Sequence, residues 1–160
     1  MVSNLPKESK INADKCRLIH AAAADYCGNC WFYLGKSASW YGQSMVTDAI
    51  VVSPIKESVK IGSIMSYNNE TIQRMTCVDL KEIVKNQGFI NYMMLDIQGS
   101  EELFLTKYPE ILQKTVKMIN VGTHSNTIEN NLRKYFSDLG WKCTFDIPMN
   151  SEVRFNIKRG

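Results

Sequence analysis

Apolar and polar positions change rhythm several times along this chain. Ile90 to Ile97 (INYMMLDI) is its most apolar stretch. It shows little alternation, which predicts a central parallel strand covered on both faces. Cys16 to Ala23 (CRLIHAAA) is shorter and apolar and predicts another buried strand. A turn at Asp25 to Asn29 leads into a strand over Trp31 to Leu34. Thr71 to Val78 alternates Ile72, Arg74 and Thr76 against Gln73, Met75 and Cys77, the period of a strand. Val116 to Val121 reads as a further strand. Trp141 to Ile147 and Glu152 to Ile157 read as an antiparallel pair around Pro148-Met149-Asn150. Residues 48–69 mix short apolar runs with Pro54 and Gly62, which predicts extended loops and an edge strand.

The helical signals lie between these strands. Asp79 caps a helix whose Leu80, Ile83 and Val84 share one face, with Gly88 at its end. The tight turn Gln98-Gly99 opens a helix at Ser100, which Pro109 restarts and which ends near Gln113. Ile128, Leu132, Tyr135, Phe136 and Leu139 form one helical stripe. Asn126 and Glu129 have capping-box spacing at its start, and Gly140 stands where a left-handed residue ends it. Residues 1–14 read as a polar arm, and residues 15–160 as a single α/β domain with a largely parallel sheet. Ligands of such sheets bind beyond the C-terminal strand ends. Four loops qualify: Ala24-Asp25, Asp96 to Glu101, Gly122 to Ser125, and Trp40 to Gln43.

Composition narrows the function classes. With 160 residues and 44% hydrophobic content, the chain can bury a core, and no run nears the ~20 apolar residues of a membrane helix. A net charge of +3, with 19 basic residues scattered among 16 acids, makes no case for nucleic acid. The nine glycines are never closer than seven residues, so no GxG, Walker loop or dinucleotide fingerprint exists. No secretory signal core is visible, and the odd count of five cysteines predicts a reducing, cytoplasmic setting.

Candidate chemistry concentrates in the loops. Asp96 ends the apolar strand, and Glu101 lies in the first turn of the next helix. A carboxylate there can accept from a hydroxyl, bind a metal or act as a base, or simply cap the helix. His124 follows a buried strand, where it serves as a general base or as a solvated loop residue. His20, between Ile19 and Ala21, reads as a packing histidine on a strand. Trp40 and Tyr41 can stack on a planar ligand or lie over the core. Cys27-Gly-Asn-Cys30 is a lone CxxC, open to a redox reading, a half zinc site or two incidental thiols in a hairpin turn. No metal site is assigned.

The run from Leu95 to Glu101, within NYMMLDIQGSEELFL, resembles the strand–turn–helix signature of FkbM-type S-adenosylmethionine-dependent methyltransferases. RLIHAAAADYCGNCWFYLG, TCVDLKEIV and VKMINVGTHSNTIENNLRKYFSDLGW resemble further family segments in the same order, and WYGQS resembles a loop of one branch. The resemblance covers nearly all of the chain from about residue 16. It implies a Rossmann-like class I sheet with a C-terminal antiparallel hairpin, and methyl transfer to a hydroxyl of a sugar or small molecule. It places Asp96, His124 and Glu101 in the catalytic role, and Ala23, Ala24 and Asp25 near the adenine. Trp40, Tyr41, Gln43 and Gln98 would contact the acceptor. The family's first strand, its glycine-rich turn and its second strand have no counterpart, and Gln98 stands where a Glu is usual. The resemblance therefore implies the C-terminal part of such an enzyme, with the isolated chain inactive and holding no cofactor. It also leaves Ile90–Ile97 with an open apolar edge, which predicts a homodimer. Two other functions stand beside it: a non-catalytic ligand- or partner-binding domain, and a CxxC thiol-redox protein.

Overall fold

The computed structural model describes residues 17–34, 43–46, 59–67, 69–85 and 87–148. The expected polar arm, Cys16, Trp40, Tyr41 and the strand Glu152–Ile157 lie outside the described residues. The fold is mixed α/β. The elements among the described residues are β1 (Ala22–Ala23), β2 (Gly28–Tyr33), β3 (Ile64–Tyr67), β4 (Glu70–Val78), α1 (Leu80–Val84), β5 (Met93–Leu95), α2 (Glu101–Thr106), α3 (Pro109–Thr115), β6 (Ile119–Val121) and α4 (Asn126–Asp138).

Among the described residues the strands form two sheets rather than one largely parallel sheet. β4 lies between β1, which it meets in parallel, and β2, which it meets antiparallel from Gly28↔Cys77 to Tyr33↔Ile72. β3 pairs β4 antiparallel, from Ile64↔Gln73 to Tyr67↔Glu70. The connections explain this: Tyr67 and Glu70 are too close in sequence for a crossover helix, and a connection that short can only reverse the chain. β5 and β6 form a separate parallel pair, Met93↔Ile119 to Leu95↔Val121. Here α2 and α3 supply the crossover that a parallel pair requires.

Several sequence expectations need correction. Of the strand expected over Cys16–Ala23, the described residues form a strand at Ala22–Ala23, and residues 17–20 are irregular and exposed, so His20 is not a core histidine. The strand expected over Ile90–Ile97 is a three-residue ladder plus an Ile90↔Val116 bridge. Only one of its faces is covered: Leu95 is buried, whereas Met94 is 72% exposed. Trp141–Ile147 forms no strand, and Arg133 instead grips Asp146 with two bonds of 2.6 and 2.7 Å.

The main core gathers the predicted helix faces. Leu80, Val84, Leu95, Phe104, Leu105, Leu112, Val116 and Leu132 are buried together, with Ile128, Tyr135, Phe136 and Trp141 packed on them. At β4 the sheet is covered on both sides. Ile72 packs with Trp31 and Val46 on one side, and Cys77 with Cys30, Ala22 and Ala24 on the other. Helix α4 ends in a Schellman motif. Gly140 adopts φ +76°, its N–H reaches the Ser137 carbonyl, and the Trp141 N–H reaches that of Phe136. The Phe136 and Trp141 rings, 5.4 Å apart, close the motif against the core.

Candidate functional site

The turn after β5 is built around one carboxylate. Gln98 (φ 56°) and Gly99 (φ 98°) both lie in the left-handed region. For Gln98 that conformation costs roughly 1–2 kcal/mol, so the surroundings must hold it. Glu101 does so. Its Oε1 accepts from the backbone N–H of Ile97 at 3.2 Å and of Gly99 at 3.0 Å, and its Oε2 accepts from Gly99 at 3.1 Å. Ser100 occupies the N-cap position of α2 without a side-chain cap bond. Glu101 is therefore a fully buried group that closes the turn.

The third partner of Glu101 arrives from β6. Leu95 and Val121 are paired, and the Gly122 N–H bonds the Leu95 carbonyl at 2.8 Å. The two strand ends therefore leave side by side, carrying Asp96 and the Gly122–Ser125 loop. Ser125 caps α4, its Oγ accepting from the Ile128 N–H at 3.1 Å. The cap is thus one residue earlier than the Asn126–Glu129 pattern indicates, and Glu129 bonds Arg133 instead. Asn131 donates to both Glu102 oxygens, and the Tyr135 hydroxyl reaches the Leu105 carbonyl, which fixes α4 against α2.

This frame puts His124 between two carboxylates. Its Nδ1 lies 2.7 Å from Glu101 Oε1, and its Nε2 lies 3.2 Å from Asp96 Oδ1. Glu101 Oε1 already accepts from two backbone N–H groups, so the ring nitrogen facing it donates and carries a hydrogen. In the neutral ring the Nε2 lone pair then points to Asp96 Oδ1 at the exposed edge. The His124 side chain is 30% exposed and that of Asp96 is 56% exposed, against 0% for Glu101. One imidazole is thus oriented from behind by a buried acid and reachable from the front, a geometry suited to binding a hydroxyl and accepting its proton.

The other candidates are placed differently. Gln98 stands at the rim, its Nε2 3.4 Å from Asp96 Oδ1. Gln43 bonds the Leu34 carbonyl at 2.8 Å and so braces backbone. Ala23, Ala24 and Asp25 lie at the end of β1, beside the end of β4. Ala24 is fully buried, with its N–H on the Val78 carbonyl at 2.9 Å.

A juxtaposition that sequence reasoning missed sits near that turn. Asp79 caps α1 by accepting from the Glu82 N–H at 2.8 Å, as expected, and its other oxygen accepts from the Tyr108 hydroxyl at 2.8 Å. Both line an open cavity of about 880 Å³ with Cys27, Lys81, Ile111 and Lys114. Twenty-nine residues separate the two partners, so no local pattern signals the pair. Burial opposes ionisation of Asp79, but bonds from Glu82, Tyr108 and Cys27 and the charge of Lys81 outweigh it and hold its carboxyl below the usual range. A depressed carboxyl stabilises the fold above its unfolded value, about 3.9, and that contribution is lost as pH falls through the folded value. Asp79→Ala is expected to lose about 1–2 kcal/mol at pH 7 and to lose less than the native chain on acidification below pH ~4. Urea midpoints at pH 7 and pH 3 check this, and an equal acid drop in both proteins would refute it.

The CxxC thiols are divided by the strand. Cys27 is exposed before β2, whereas Cys30 is buried beside Cys77. Hydrogen bonding to Cys77 and burial push the Cys30 thiol up. Cys77, the acceptor in that bond and in others from Tyr26 and the Gly28 N–H, is drawn down to about 7 despite its burial. At Cys27 a backbone bond with Asp79 favours the thiolate, but burial and the Asp79 carboxylate outweigh it and the thiol is held up. A reactive exposed thiol needs the opposite shift.

A protein described as a putative methyltransferase, from Jannaschia sp. (strain CCS1), is 39% identical to this chain over 59 residues. That stretch is 37% of this chain and 21% of the relative, so the chain spans about a fifth of that protein's length. No family model matches the chain, and no solved structure matches it. Among the described residues no helix is long and apolar enough to cross a membrane. The partial likeness supports a methyltransferase relationship for this chain.

Proposed function

We propose that this chain is the acceptor-handling part of an FkbM-type, S-adenosylmethionine-dependent methyltransferase, acting on a hydroxyl of a sugar or small molecule. The observation that carries the reading is the Glu101–His124–Asp96 alignment at the paired C-terminal ends of β5 and β6. The partial likeness to a putative methyltransferase supports the same class. In this reading the acceptor hydroxyl lies on the edge formed by His124 Nε2 and Asp96, where it loses its proton. Glu101 is a positioning residue that fixes the tautomer, and Gln98 stands at the rim of the acceptor site.

The donor is a different matter. A sulfonium cofactor needs a close backbone cradle, and the spacing of the nine glycines offers none. The Ala24 N–H of the expected adenine turn is already spent on Val78. The residues present do not fit the whole cofactor, so we assign this chain the acceptor side and weak donor affinity. The β5 edge away from β6 carries no strand among the described residues, and we infer that a second copy covers it. Calorimetry with S-adenosylmethionine and with a panel of saccharides tests the assignment, and light scattering on the same sample reads its mass. Saccharide binding that weakens at least tenfold in His124→Gln, with donor binding weaker than millimolar, is expected. Micromolar donor affinity, or saccharide binding indifferent to His124, would overturn the assignment, and a monomer would overturn the dimer.

A further inference from the structure

The His124–Asp96 contact poses an electrostatic problem of its own. With the ring hydrogen on Nδ1, the Nε2 lone pair points at the lone pairs of Asp96 Oδ1 across 3.2 Å. Two acceptors at that distance repel unless a positive charge lies between them. A proton can supply it, and so can a metal ion. Two ligands at right angles on a cation, each about 2.1–2.2 Å from it, stand about 3 Å apart. The observed separation matches that bite. One ligand atom from each of Asp96, Glu101 and His124 lies within 4.8 Å of the others.

We propose that His124 Nε2 and Asp96 hold a divalent first-row transition cation. The mixed imidazole and carboxylate set favours Mn²⁺, Co²⁺ or Zn²⁺ over Mg²⁺ and Ca²⁺, which prefer oxygen alone. Glu101 completes the arrangement from behind. A buried carboxylate bonded to the far nitrogen of a ligating histidine fixes the ring and raises its donor strength. Gln98, at the rim beside Asp96, offers a side-chain carbonyl as a further oxygen ligand once its amide turns. The exposure of Asp96 and His124 leaves the remaining positions to water or an acceptor hydroxyl. A hydroxyl on such an ion is acidified by coordination, and water takes its proton. That consequence rests on the methyl-transfer reading; the binding does not.

The spacing 96, 101, 124 matches no metal motif, which is why the sequence assigned no ion. The test titrates the full chain with Mn²⁺ alone at pH 7.5, followed by electron paramagnetic resonance, with Co²⁺ absorption reporting ligand type. One saturable site with oxygen and nitrogen ligation is expected. Asp96→Asn and His124→Gln should abolish it, and Glu101→Gln should weaken it about 10–100-fold. His20→Gln, at the exposed histidine outside the site, should change nothing. Asp96 is exposed, so its variant keeps the fold and circular dichroism verifies this. Absence of saturable binding, thiolate bands in the Co²⁺ spectrum, or a site that survives both Asp96→Asn and His124→Gln would overturn the proposal. No acceptor or methyl donor is present, so failure of the methyl-transfer reading leaves this result intact.

Discussion

Replacing Glu101 by Ala is expected to destabilise the protein by about 3–5 kcal/mol. The carboxylate is fully buried and accepts from Ile97, Gly99 and His124. Its removal leaves those partly buried donors facing a cavity, and an unmet donor costs up to about 1–3 kcal/mol when buried. It also releases the left-handed conformation of Gln98. Small domains have only about 5–15 kcal/mol in hand, so the urea midpoint should fall steeply with an unchanged slope. Glu101→Gln separates structure from function. It fills the same space and can still accept from the turn, at a cost of about 1–2 kcal/mol. Its amide, however, donates toward Nδ1, which drives the ring hydrogen to Nε2 and closes the Asp96 edge to a hydroxyl. A folded Glu101→Gln chain that binds saccharide as the native chain does would refute the tautomer argument. An Ala variant within 1 kcal/mol of native would refute the structural one.

Phe104→Ala is the second large effect, at about 3–5 kcal/mol. Phe104 is buried in the main core, among residues from α1, α2, α3, α4 and β5. Its neighbour Leu103 is 57% exposed on the opposite face of α2, so Leu103→Ala is expected to stay within about 0.5 kcal/mol. The contrast tests whether the core packs as described. Similar losses at the two positions would mean that α2 is turned differently. Because Glu101 opens the same helix, Phe104→Ala should also loosen the His124 alignment, and Phe104→Leu should recover most of both losses.

Much of the local structure was legible along the chain. Asp79 as a cap, the β4 alternation, the turn at Gln98-Gly99, the restart at Pro109 and the α4 stripe all depend on neighbours within about four residues. Asp96, Glu101 and His124 were legible as candidates because each follows or abuts a strand end. Their mutual geometry was not, since it depends on β5 pairing with β6 and on Glu101 turning inward. The single, largely parallel sheet is not what the described residues form, because strand signals carry no direction. A short connection fixes direction, and between β3 and β4 it forced an antiparallel pair.

The sequence by itself determined where the chain turns, which helix faces are apolar and which loops carry polar chemistry, because those follow from residue type and spacing. Only the tertiary structure decided that Glu101 is buried, that Tyr108 meets Asp79, and that one imidazole joins two carboxylates. Each of those pairs residues far apart in sequence, or depends on which side of a helix turn faces the core, and only packing brings such groups within hydrogen-bonding distance.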